Sequence, residues 1–127
     1  MYHRTPFGKF AAKVREDRGL LLKDFAERLG VSSSFLSNVE FGRKAIPEGW
    51  EDAIREKFAL DLPEATQLRK CILRSTDTFR IRVSNEDQRS VLVAFIERQD
   101  VVDEKASRVF RRAVGASEAF DDEPQKQ

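Results

Sequence analysis

One cysteine and one histidine are all that this 127-residue sequence contains of the two residue types that most often bind metals or act as nucleophiles. Cys71 alone cannot close an internal disulfide, and it sits on an apolar helical series that reads as core. His3 lies in the terminal stretch, far along the chain from Cys71, so the two make neither a nucleophile pair nor a metal site. There is no HExxH, no cysteine-rich ligand spacing and no glycine loop of the kind that cradles phosphate. The acidic doublets fall at helix starts, where the helix dipole accounts for them. An enzyme, a cofactor and a bound metal are therefore not expected. No apolar run approaches the roughly twenty residues that cross a bilayer. The opening MYHRTPFGKF lacks the apolar core of a signal peptide, so the expected location is the cytoplasm.

What is present is an ordinary folding composition, 40% apolar and 35% charged. A chain of this length buries roughly two-thirds of its unfolded surface, enough for one domain, or for a small domain plus an appendage. The formal charge of +1 conceals an uneven distribution. Residues 1–47 carry nine basic against five acidic side chains, and residues 48–62 two against five. Residues 63–83 carry five against two, and residues 84–127 seven against ten. The two basic stretches are candidates for a surface facing a polyanion.

Local start and stop signals divide the first part into five short helices. Thr5 followed by Pro6 predicts a cap and first turn, with Phe7, Phe10, Ala11 and Val14 at helical spacing up to Gly19. A second helix is predicted from Lys23 to Leu29, ending at Gly30, and a third from a cap at Ser32 or Ser33 to about Phe41. A fourth runs through Trp50, Ile54 and Phe58, and a fifth from Glu64 to about Arg74.

Beyond residue 75 the period changes. TFRIRV places Phe79, Ile81 and Val83 on one face and Arg80 and Arg82 on the other, the alternation of a half-buried strand. No partner strand is evident in the chain. The economical partner is the same segment of a second copy, which makes Phe79, Ile81 and Val83 the candidate dimerisation residues. Asn85 then caps a helix, and Leu92, Phe95, Gln99, Val102, Ala106, Val109 and Ala113 recur at alternating steps of three and four. One long helix, or two with a break near Asp100, would satisfy that series. From Gly115 onward the polar, acidic GASEAFDDEPQKQ reads as a frayed tail.

The stretch LLKDFAERLGVSSSFLSNVEFG, residues 21–42, carries a pattern of its own. Two helices crossing through a tight turn need a small residue at the crossing, a glycine able to take positive φ, and apolar side chains locking the angle. Ala26, Gly30, and Phe25, Leu29, Val31, Leu36 and Val39 supply them. This is a helix-turn-helix pattern.

On LGVSSSFLSNVEFGRKAIP the chain resembles the Cro and lambda-repressor-like, or XRE, helix-turn-helix family over about residues 5–74. The resemblance implies a five-helix domain whose third helix enters the DNA major groove, acting as a homodimer on an inverted repeat. It places Ser33, Ser34, Ser37 and Asn38 toward the bases, and Ser32, Lys23, Arg43 and Lys44 against phosphates. Asn38 is the best reader of the four, because an amide can bond adenine N6 and N7 together while a serine hydroxyl discriminates poorly. The resemblance also implies an ion pair, Arg15 with Glu40, tying the reading helix to the first. One departure is Leu22, where the family often carries a phosphate-binding glutamine; the contact is then lost or moves to Lys23.

The fold class expected is mainly α: a lambda-repressor-like DNA-binding domain over 1–75, a strand plus helical dimerisation or partner-binding region over 76–114, and a tail over 115–127. The function expected is a dimeric transcriptional repressor, of bacterial or phage type, whose partners are double-stranded DNA and a second copy. The alternative is an antitoxin, with residues 84–127 binding and neutralising a toxin while the first domain autoregulates.

Overall fold

The computed structural model describes residues 3–116. Most of the tail expected over 115–127 lies outside those residues. The chain divides between Thr78 and Phe79 into two units.

The first unit holds five helices: α1 (Pro6–Asp17), α2 (Leu22–Leu29), α3 (Ser33–Glu40), α4 (Trp50–Lys57) and α5 (Leu62–Arg74). Three of the five starts carry a side-chain acceptor for the unpaired N–H groups of the first turn. Thr5 Oγ1 accepts from Gly8 N at 3.1 Å, and Ser32 Oγ accepts from Phe35 N at 3.0 Å. At α5, Asp61 and Glu64 exchange side-chain-to-backbone bonds of 2.8 and 3.0 Å. That box starts α5 at Leu62, two residues before the start read from the sequence, because Pro63 is tolerated in a first turn where its missing N–H costs nothing. Leu21, at the cap of α2, offers no acceptor, and Asp24 Oδ2 instead accepts from Leu21 N at 2.9 Å.

α1 is the hub, packing on α2, α3 and α5, while α4 packs on α2 and α5. Phe7, Phe10, Ala11 and Val14 of α1 meet Phe25 and Ala26, Leu36 and Val39, Trp50, Ile54 and Phe58, and Leu68 and Cys71 in one core. The Phe25 and Phe58 rings stack at 4.1 Å between centroids. Ser75 Oγ accepts from Phe7 N at 2.9 Å and donates to Cys71 O at 2.7 Å, closing the start of α1 against the end of α5.

In the second unit, residues 79–84 are neither helical nor laddered, and no β-ladder occurs among the described residues. The alternation at Phe79, Ile81 and Val83 therefore forms no strand within a single chain, since a strand's N–H and C=O groups need a partner. α6 (Glu86–Glu97) and α7 (Glu104–Ala113) follow, separated by a 3-10 turn at Gln99–Val101. Asp103 Oδ1 accepts from Ala106 N at 2.8 Å and caps α7, so the second of the two arrangements open to the sequence is the one adopted. None of the described helices is long and apolar enough to cross a membrane.

Candidate nucleic-acid interface

α2 and α3 are joined by a turn in which Gly30 takes φ +77°, a value that disfavours a side chain, and Val31 N donates to Ala26 O at 3.0 Å. Ala26 is fully buried at the crossing. α3 turns Leu36, Val39 and Glu40 inward. The opposite side of this two-turn helix carries Ser34, exposed, and Ser33, Ser37 and Asn38, each half-buried. Ser34 and Asn38 stand four residues apart and so share one side of the helix, as do Ser33 and Ser37. Phe35 lies edge-on to Trp50, with ring centroids 6.2 Å apart, and is thereby committed to packing.

What fixes α3 to the scaffold is its C-terminal end. Glu40 is 1% exposed, and its carboxylate accepts from both terminal guanidinium nitrogens of Arg15, Nη1 to Oε2 and Nη2 to Oε1, the second at 3.2 Å. Arg4 Nε donates to the same Oε1 at 3.2 Å. A buried carboxylate with donors on both oxygens meets the condition under which a buried charge is tolerated. The Glu40 carbonyl is used as well, accepting from Thr5 N at 2.9 Å and Thr5 Oγ1 at 3.1 Å. Gly8 passes so close that a Cβ there would lie 2.2 Å from that oxygen. The sequence reading missed Gly8; its partner is 32 positions away, and no local signal marks it.

The loop after α3 is pinned to the helix it leaves. Asn38 O accepts from Arg43 N at 2.8 Å and Lys44 N at 3.2 Å, and Asn38 Oδ1 accepts from Arg43 Nε at 2.8 Å. The Arg43 guanidinium lies 5.3 Å from the Phe41 ring centroid, and that of Arg4 lies 5.0 Å from it. Arg43, Lys44, Lys23 and Ser32 are all exposed. Ser32 already accepts a capping bond, which leaves its hydroxyl proton free to donate outward.

Two titrations in this unit move for clear reasons. Hydrogen bonds from Arg18, assisted by the Asp61 N–H, hold the Glu64 carboxyl below its usual range. Burial pushes the Cys71 thiol up, consistent with a packing role. Among the described residues no cluster of three or more His, Cys, Asp or Glu side chains is placed to hold a metal.

The arrangement is a short helix with small polar side chains on one side, a capped N-terminus, and two cations in the loop at its far end. A helix-turn-helix family model matches residues 12–49, from within α1 to the residue before α4. No curated protein and no solved structure matches the chain.

Proposed function

We propose that the chain, whose residues 12–49 match a helix-turn-helix family model and so support a DNA-binding transcriptional regulator of the Cro/lambda-repressor-like kind, acts as a dimeric repressor reading an inverted-repeat operator. α3 enters the major groove, with Ser33, Ser34, Ser37 and Asn38 toward base edges and Ser32, Lys23, Arg43 and Lys44 on the flanking phosphates. The observation that carries this reading is the polar side of α3, held by the buried Glu40 and continuous with Arg43 and Lys44. Small side chains at the start of a helix let its backbone approach the groove, while the N-terminal N–H groups favour phosphate oxygens. A dimer supplies two such helices at the 34–36 Å spacing of successive major grooves on one face of the duplex.

Selection of bound DNA from a random pool tests it. A two-fold symmetric consensus is expected; a pool that converges on no sequence, or on an isolated half-site, would count against the reading. The antitoxin reading draws on the exposed apolar side chains after residue 78. A stoichiometric small protein co-purifying from the native host would favour it.

A further inference from the structure

Nothing between Phe79 and Ala116 is buried. Eleven large apolar side chains of this segment, among them Phe79, Val91, Phe95, Ile96, Val109 and Phe110, are 43–65% exposed. At on the order of 80 Å² each, and summed over residues 79–114, they present about 900 Å² of apolar surface in total. A soluble monomer rarely leaves more than a few hundred Å² of contiguous apolar surface in water, whereas a stable interface takes about 800 Å² from each partner.

The two helices differ in kind. Val91 to Ile96 of α6 is an unbroken apolar run of six residues, and at 100° per residue it covers the helix all round, the pattern of an element enclosed on every side. α7 has a single apolar stripe, Ala106, Val109, Phe110 and Ala113, at steps of three, one and three. Stripe and core would suit one another, yet among the described residues α6 and α7 make no extensive contact within the chain. Their charges are opposite. α6 carries Glu86, Asp87 and Glu97 against Arg89, and α7 carries Lys105, Arg108, Arg111 and Arg112 against Glu104.

We propose that the occupant of this surface is a second copy of the same chain, with α7 of each protomer laid antiparallel on α6 of the other and the two α6 helices meeting at the two-fold axis. The arrangement rests on the dimeric reading above and assigns its interface to the helices. A two-fold axis turns each α6–α7 contact into two, and the opposite charges make both attractive while disfavouring α7 against α7. Antiparallel placement sets Glu86 and Asp87 beside Arg111 and Arg112 and opposes the two helix dipoles. Because the half of α6 over residues 91–96 is apolar all round, the stripe of one α7 covers only part of it, and the second α6 covers more.

Charge exchange in the full-length chain tests this. One variant carries Glu86→Lys and Asp87→Lys; the other carries Arg108→Glu, Arg111→Glu and Arg112→Glu. Each should sediment as a monomer at concentrations where the wild type is dimeric, its self-association weakened at least tenfold. An equimolar mixture should regain a dimer containing one of each. Fluorescence of Trp50, the only tryptophan, reports whether the first unit remains folded in each variant. Variants that stay dimeric alone, or a mixture that stays monomeric, would overturn the helix exchange. A dimer that resists both charge sets and is lost in Ile81→Asp would overturn it while leaving dimeric repression intact. A wild-type chain that is monomeric, and becomes stoichiometric only with a different protein, would overturn both.

Discussion

Arg43 Nε donates to Asn38 Oδ1 at 2.8 Å, so the side chain proposed to read a base and one proposed to grip the backbone form a single hydrogen-bonded unit. The bond orients the Asn38 amide and leaves its NH2 facing away from Arg43. Lys44 shares the loop without that bond to the Asn38 side chain. Lys44→Ala should therefore weaken binding to all sequences alike and lower the salt slope by about one. Arg43→Ala should do the same and also soften preference at the base pair read by Asn38. Affinities for a panel of operator variants at several salt concentrations separate the two outcomes.

The Arg15–Glu40 pair predicts a stability loss that is not symmetric in cause. Arg15→Ala leaves a buried carboxylate with one remaining arginine, Arg4, whose side chain is 41% exposed, whereas Glu40→Ala leaves the arginine charge without its acceptor. Removing one partner of a buried pair costs about 3–5 kcal/mol. Urea unfolding of each variant measures it, and midpoints equal to that of wild type would show that the pair does not hold α3.

Gly8→Ala should destabilise the first unit through overpacking, by about 1–3 kcal/mol. The added methyl would meet the Glu40 carbonyl at 2.2 Å, and backbone on both sides has little room to yield. Because the displaced element is the end of α3, DNA affinity should fall along with the melting temperature.

Glu64 gives a pH dependence with a definite sign. Its folded pKa lies below the usual 4.5, chiefly through the Arg18 hydrogen bonds at 3.1 and 3.3 Å. A lowered folded pKa contributes stability above the unfolded value, and that contribution disappears as pH falls through the folded value. The stability difference between wild type and Glu64→Gln should be largest near neutral pH and shrink below about pH 4.5. Denaturation midpoints across that range measure it.

The helix starts were legible because their signals are local: Thr5 before Pro6, Ser32 before Phe35 and Asn85 before Gln88 each act within three residues. The break between α6 and α7 was left open by the sequence, because the three-four spacing runs through Gln99; the cap that starts α7, Asp103 to the Ala106 N–H, was not singled out there. Gly8 was not legible, since what it touches comes from the far end of α3. The link from Arg43 to Asn38 depends on the loop folding back after Gly42, which residue spacing alone does not reveal. The alternation at Phe79, Ile81 and Val83 was visible, but no strand forms among the described residues, because a ladder requires a second strand.

Random-pool selection run in parallel on the wild type and Asn38→Ala tests the central claim most directly. The wild type should yield an inverted repeat with half-site centres about 10–10.5 base pairs apart or a multiple of that. Asn38→Ala should yield the same repeat with preference lost at one position in each half-site, worth about 1–3 kcal/mol there. An unchanged consensus in the variant would take base readout away from Asn38, and a wild-type pool with no two-fold consensus would contradict the dimeric operator-binding function.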